Sequence, residues 1–513
     1  YLTYDETYNM PLTTTYQQDE DTTVVQENIL TADKKSIDTS QVKVNGEVKS
    51  QTKYTYDQYG NVTAKQMWES DSNGDGVLDA LDETVTVKTD YTYNTDSSWS
   101  LHTYVENVQD AEGSTTSQIG YTASYDALGN LKTITDPEGN TTTYTYDVMN
   151  RPTQATFEDG TTQQLSYNIP ANEVTYTDEN GTQTKSQFDP LGQIEQVLLN
   201  DAGWKTLESY EYNSIGQQVK KTTMRDATNK TVEETTYNPD GTTAAVRIKN
   251  AAGDTVTGTD YTYTYTATGQ SVASQVLNDP VTTVQTYDLR GRLVKEEAQT
   301  EDETLTTTYA YDYLENVISA KDARANAEGW GNTTQRTYDY AGNVLTQTNA
   351  LGKTMTNTYN LLGQLVSSSD YKGNATTYVY DKMGRNIQIT SPFDGTNVSK
   401  KFVIYDKNGN VIREKQQNNA PGEGETYRRV EYEYDSKNRL TAVKQYDGET
   451  EYKTAYTYDN AGNQTALITG AATAAPHTTS YTYNKLGQVV QETDAMGGVK
   501  TAAYDYLGNV TGG

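Results

Sequence analysis

Residues 71–82 read Asp-Ser-Asn-Gly-Asp-Gly-Val-Leu-Asp-Ala-Leu-Asp, and no other stretch of the chain has residue types so well spaced for binding chemistry. Asp71, Asn73 and Asp75 take loop positions 1, 3 and 5, and Gly76 takes position 6, where the chain must turn sharply. Val77 can offer its backbone carbonyl at position 7, Asp79 can bind directly or through water at 9, and Asp82 closes the loop at 12. Such an oxygen-only set suits a hard cation, and it predicts a structural calcium site that clamps an inserted acidic loop at 69–83. The plainer alternative is a solvated acidic insertion, but acidity alone does not require a glycine at position 6.

Other chemistry finds little to work with. There are two histidines, His102 and His477, far apart in sequence and outside any recognisable motif. Carboxylates are plentiful, but Asp126, Asp147, Asp288, Asp339, Asp381, Asp406, Asp435, Asp459 and Asp505 all share one place in a repeated pattern. A catalytic dyad is singular, whereas a turn residue recurs, so these aspartates are read as turn residues. The expectation is a protein without catalysis. Asn-x-Ser/Thr triplets recur, for example at Asn61, Asn140, Asn332, Asn374 and Asn397, as the abundance of threonine makes expected by chance.

The elements that must carry these residues follow from the repeat. Tyr125-Asp126, Tyr146-Asp147, Tyr167-Asn168 and Phe188-Asp189 recur every 21 residues, and the interval returns at Tyr338-Asp339, Tyr359-Asn360 and Tyr380-Asp381. A fixed period of this size marks a repeat architecture. Before each mark, threonines alternate with larger groups, as in 141–146, which is the pattern of a strand with one half-buried face. After it comes a short turn with glycine, such as Gly129 or Gly342, suited to positive φ. A second strand and a second turn, such as 136–140, complete a β-hairpin. A lone hairpin is not stable, so stacked neighbours must complete the sheet. The glycines at 60, 129, 192, 216, 269, 291, 342, 363, 384, 409, 462, 487 and 508 are assigned to these turns.

Residues 1–50 are an irregular β start, read as a degenerate repeat, with a hairpin-turn signal at Asn45-Gly46. Residues 51–513 are read as one continuous array interrupted by the acidic loop at 69–83. Extra residues fall between marks, as at 418–424 and 470–477, and are expected to loop out from one edge.

Composition agrees with an all-β chain. Of 513 residues 44 are tyrosine, against 4 phenylalanines and 4 tryptophans, and hydrophobic residues make up only 34%, too few for a thick aliphatic core. Tyrosine can pack a ring while its hydroxyl reaches a polar partner. The net charge of −30 argues against nucleic acid and anionic lipid as partners. There is no cysteine, so disulfides and thiol chemistry are excluded. No apolar run approaches the roughly 20 residues of a membrane-spanning helix, so no direct membrane insertion is expected.

These marks resemble the YD repeats, also called Rhs repeats, of bacterial Rhs and wall-associated proteins, the C component of Tc toxins and the extracellular part of teneurins. The best instances are Tyr144-Thr-Tyr146-Asp147, 125–131, 338–344 and 456–463. The resemblance implies a spiral of β-hairpins forming an elongated shell or tube. It implies a non-catalytic structural module of a large secreted or cell-surface protein, bacterial, building a shell, stalk or filament. Two alternatives stand beside it: an adhesion module binding glycan or protein through exposed aromatics near Trp99 or Trp330, and a toxin-enclosing shell. The implied partners are further repeats of the same polypeptide or like copies, and a surface glycan or protein. Toxin-carrying members continue into a core segment with an aspartate-driven self-cleavage site and then a toxin. Neither is read before Gly513, and the Asp-Pro pairs at Asp136 and Asp189 are read as turns, so the sequence looks like a piece of a longer polypeptide. The 71–82 loop is similar to the calcium loops of dockerins and thrombospondin type 3 repeats. It departs from an EF-hand, which closes with glutamate between two helices, because Asp82 closes it and strand-like 84–89 follows.

Overall fold

A computed structural model describes residues 1–68, 70–71, 78, 86–94, 100–226, 229–331, 333–393, 397–417, 427–505 and 508–512, with the backbone alone at 86–94 and 100. The described chain is all-β, apart from one short helix, Ala323–Glu328, and a 3₁₀ turn at Ile169–Ala171. Successive strands pair antiparallel with their neighbours in sequence, so the hairpins form a meander whose turns alternate between two edges.

One hairpin explains the rest. In Thr354–Tyr359, Thr354, Thr356 and Thr358 are exposed, while Met355, Asn357 and Tyr359 are half-buried. In Ala375–Tyr380, Thr376, Tyr378 and Tyr380 occupy the half-buried face in the same way. This is the two-residue period of a strand covered on one side. Asn357 pairs with Ser368 and Thr358 with Ser367, but Tyr359 pairs with Leu365, so the ladder slips by one residue at the tyrosine. The same slip recurs at Tyr146, Tyr311, Tyr338, Tyr380, Tyr405 and Tyr458. These tyrosines of the repeat mark therefore sit at β-bulges, which strengthen local twist, whereas Tyr167 pairs with Val174 in regular register.

The interior is thin. Fully buried apolar side chains such as Val24, Trp68, Leu199, Val403 and Ala442 are scattered along the chain, and Val105, Val108 and Ile119 form a small buried cluster. Most strand residues are half-buried instead, as the low hydrophobic content predicts.

The chain divides into two compact units, each built from two separated stretches. One combines Tyr1–Asn140 with Thr307–Glu431, and the other combines Thr141–Thr306 with Tyr432–Gly513. In the first, Asn408 donates to Asp136 at 2.7 Å, and Arg413 pairs with Glu112 at 3.0 Å, as does Lys415. In the second, Lys437 pairs with Asp159 at 3.0 Å, and Asn180 donates to Asp459 at 2.9 Å. In both, turns from one edge of the later stretch seat on opposite-edge turns of the earlier one.

The N-terminal stretch is regular β structure. Val44 pairs with Glu47 across Asn45 and Gly46, both at positive φ, which makes the two-residue hairpin turn that Asn-Gly predicts.

Candidate functional site

Of the calcium loop, Asp71 and Leu78 are described, whereas Asn73, Asp75, Val77, Asp79 and Asp82 lie outside the described residues. Leu78 is buried, and its carbonyl accepts a hydrogen bond from Gln51 at 2.8 Å, which ties this end of the insertion to the strand Glu47–Tyr56. His102 lies in Ser100–Gln109 with its ring 4.9 Å from that of Tyr104, and His477 opens the strand His477–Tyr483 in the other unit. The two histidines thus belong to different units. Trp99 lies outside the described residues. Trp330 is exposed beside the short helix, with the Arg324 guanidinium 4.9 Å from its ring.

What the fold does bring together, over and over, is the turn and the tyrosine. In the turn at 126–130, the Asp126 amide donates to the Asn130 carbonyl and the Gly129 amide to the Asp126 carbonyl. One Asp126 carboxylate oxygen accepts from the amides of Leu128 and Asn130, both at 2.9 Å, and the other accepts from the Asn130 side chain at 2.9 Å. A short polar side chain bonding its own backbone two residues on is what favours Asp or Asn here. Gly129, at φ 85°, supplies the left-handed residue that closes the turn. Asp339, Asp370 and Asn360 repeat the scheme.

These bonds decide what the aspartates can do. Hydrogen bonding from Asn130 holds the Asp126 carboxyl below its ordinary value, and the Arg151 side chain does the same for Asp147. Both are ionised acceptors engaged by the backbone, not poised general acids. The Asp-Pro sequences at Asp136 and Asp189 form turns of the same kind.

Many tyrosines of the mark reach back one hairpin, although the Tyr287 hydroxyl donates to the Gln285 side chain in its own strand instead. The Tyr359 hydroxyl donates to the Val344 carbonyl at 3.1 Å, Tyr380 to Leu365 at 2.9 Å and Tyr405 to Asn386 at 2.9 Å. In the other unit, Tyr212 donates to Ile194 at 2.8 Å and Tyr458 to Leu440 at 2.6 Å. The acceptor is in every case the residue that follows the preceding turn, at the bulge where the ladder is offset. Burial lifts the Tyr359, Tyr405 and Tyr458 phenols above their ordinary values, so they remain protonated donors at neutral pH.

Where arginine ends the turn, it adds a second link. Arg385 holds Asp381 at 2.7 Å, donates onward to the Asp406 carbonyl at 2.7 Å and lies 4.9 Å from the centre of the Tyr405 ring. Arg439 repeats this with Asp435, Asp459 and Tyr458. A guanidinium over a ring adds cation–π attraction to the hydrogen bonds. Turn, bulge and tyrosine thus make one lattice running from hairpin to hairpin.

The RHS Repeat model matches residues 125–162 and 434–475, and the Teneurin YD-shell model matches 144–421, more than half of the chain. The chain belongs to the YD-shell family. The solved Tc holotoxin pore of Photorhabdus luminescens is similar over 96% of this chain and 34% of its own, at 15% identity and a TM-score of 0.41. A crystal structure of TcdB2-TccC3 is similar over 99% and 36%, at 14% identity and a TM-score of 0.35. The present YD-shell chain therefore spans about a third of the length of these solved chains. No curated protein matches it.

Two features of the lattice escaped the sequence reading. The tyrosine acceptors depend on which backbone lies beside each hydroxyl, and spacing alone cannot name it. The pairs between distant stretches had one readable trace, a tip lysine in a later turn, Lys437, against an acidic tip in an earlier one, Asp159.

Proposed function

We propose that this chain is a non-catalytic wall segment of a bacterial, secreted or surface-exposed YD-repeat shell that encloses a protein guest and assembles with another protein chain. The observation that carries the reading is the turn–tyrosine lattice. It commits the recurring carboxylates and phenols to hydrogen bonds within the wall, and so favours a container over a catalyst. Membership in the YD-shell family and the TcdB2-TccC3 pairing named for a similar solved structure support a shell with a protein partner. Among the described residues no group of three or more His, Asp or Glu side chains is placed to hold a metal. The 71–82 loop retains its calcium role in this proposal on the spacing of its oxygen donors, as a clamp on an insertion. Residues 1–50 and 51–513 act in it as one array.

The test is protease digestion of the polypeptide that carries these residues. A guest segment that survives while the particle is intact, and is cleaved once the particle is opened by acid, supports the enclosure. Equal cleavage before and after opening contradicts it.

A further inference from the structure

In each unit, one asparagine joins the two distant stretches in the same way. In one unit, the Asn408 side chain donates to Asp136 Oδ2 at 2.7 Å and accepts from the Glu138 amide at 3.2 Å. In the other, the Asn180 side chain donates to Asp459 Oδ2 at 2.9 Å and accepts from the Ala461 amide at 3.3 Å. The turns they meet are of one kind, Asp-Pro-Glu-Gly-Asn at 136–140 and Asp-Asn-Ala-Gly-Asn at 459–463, and they are met at the same two positions. The same carboxylate oxygen also accepts from the turn's own last asparagine, Asn140 at 2.9 Å or Asn463 at 2.8 Å. Asn408 lies in the later stretch of its unit and Asn180 in the earlier stretch of its own, so the contact is made once from each side.

The sequence adds a second coincidence. Asparagine is followed by glycine at four places, 45, 73, 180 and 408, and two of these are the seam residues. Asn-Gly is a pair especially prone to deamidation, because glycine has no Cβ to keep its backbone nitrogen away from the asparagine side chain. That nitrogen attacks Cγ, the Cγ–Nδ2 bond breaks, and ammonia leaves as a five-membered succinimide closes. Water then opens the ring at one carbonyl or the other, giving aspartate or isoaspartate with no change of oxidation state. A closed seam works against the first step. It holds both polar atoms of each asparagine side chain on the opposing turn. The nucleophiles are engaged as well, since the Gly181 and Gly409 amides donate to the Asp178 and Asp406 carbonyls at 3.0 and 3.3 Å. Opening the seam releases the side chain beside a glycine that is already exposed to water.

The product cannot remake the contact. A carboxylate in place of the amide has no hydrogen to donate, and the group it meets is itself ionised. Burial works against the charge on Asp136 and Asp459, but hydrogen bonds from Asn140 and Asn463, together with those from the seam asparagines, hold both carboxyls below their ordinary value. Two like charges at this distance repel. Isoaspartate, in addition, places its Cβ in the main chain of the turn. We propose that Asn180 and Asn408 are sites of spontaneous deamidation, and that this modification turns a transient opening of either seam into a lasting one.

The test is mass-spectrometric peptide mapping of the full chain after incubation at mildly alkaline pH. Asn45 is the internal reference, because its side chain accepts from the Thr23 amide at 2.9 Å within its own run of hairpins. The reaction acts on the open form, so its rate follows the open population. Lys437→Met removes the ion pair with Asp159 and raises deamidation of Asn180 about fivefold relative to Asn45. Glu112→Gln removes the pairs with Arg413 and Lys415 and does the same for Asn408. Asn180→Asp and Asn408→Asp copy the product. In hydrogen exchange they loosen the turns at 459–463 and 136–140 roughly tenfold, as the loss of a hydrogen bond to a charged group implies. Asn180→Ser and Asn408→Ser, which add no charge, loosen them less. Deamidation of Asn180 and Asn408 that the seam variants leave unchanged relative to Asn45 overturns the proposal. So do aspartate variants that exchange like the parent.

Discussion

Removing the Tyr359 ring tests whether the tyrosine lattice couples one hairpin to the next. The ring is half-buried, and its hydroxyl donates to the Val344 carbonyl at 3.1 Å. Truncating a fully buried aromatic costs about 3–5 kcal/mol, so half burial puts Tyr359→Ala at about 2 kcal/mol. Tyr359→Phe removes only the hydroxyl. The Val344 carbonyl keeps a second donor, the Asn357 side chain at 2.9 Å, so no buried acceptor is orphaned. The cost then lies near the lower end of a single hydrogen bond, about 0.5 kcal/mol. The chain already contains such a replacement, since Phe188 occupies the tyrosine position of its own repeat. In a repeat array coupled through nearest neighbours, damage stays local. Native-state hydrogen exchange is therefore the assay. Tyr359→Ala should speed exchange across 330–410 by about 30-fold, the factor for 2 kcal/mol of lost local stability. Residues 125–190 should remain protected, and Tyr359→Phe should shift the window only slightly. Parent-like exchange in Tyr359→Ala would refute the lattice, and uniform loosening of the whole chain would refute its local coupling.

Backbone geometry at the turns gives a paired expectation: Glu315, at φ 70° where other repeats place glycine, should stabilise the chain by about 1 kcal/mol as Glu315→Gly, whereas Gly129→Val should cost about 1–3 kcal/mol in a thermal denaturation series. The reverse order would remove the turn assignment. Acid should loosen the seam at Asp159, where burial works against the charge but hydrogen bonds from Thr161 and Lys437 outweigh it and hold the carboxyl at about 2. A depressed value means stability that is complete above the unfolded value near about 4 and is lost as pH falls through 2, so melting temperature should drop across that window and drop less in Asp159→Asn. A melting temperature that stays flat from pH 4 to 2 would contradict this. Calorimetry should find one tight calcium site in the chain, lost in Asp71→Ala plus Asp75→Ala; equal binding by that double variant would assign the ion to the acidic surface at large.

Much of the fold is legible because the repeat writes local geometry directly. Tyr146, Tyr359 and Tyr458 end strands, and the glycines of their own or sister turns take positive φ because one left-handed residue is needed in each. Gly269 is a correction. The turn there is the two-residue Ala267-Thr268, since Thr266 pairs with Gly269, and the glycine opens the next strand. It is needed because an added Cβ would stand 1.9 Å from the Tyr287 carbonyl oxygen. The helix Ala323–Glu328 is set by local signals: Asp322 caps the Ala325 amide at 2.8 Å, alanines follow, and Gly329 ends it in the left-handed region. The seams could not be placed, because Glu112 meets Arg413, and Asp159 meets Lys437, through how far the meander travels before the chain returns, which no local pattern encodes. Of the calcium loop, the structure describes Asp71 alone among the six ligands read from sequence.

The central claim is that these hairpins form the wall of a container. Cryo-electron microscopy of the polypeptide that carries residues 1–513 tests it most directly. The account predicts a hollow particle whose wall contains these strands in the order of the chain, with tyrosine hydroxyls on the carbonyls of preceding hairpins and protein density inside. A solid rod, or an open sheet with no enclosed space, would contradict it.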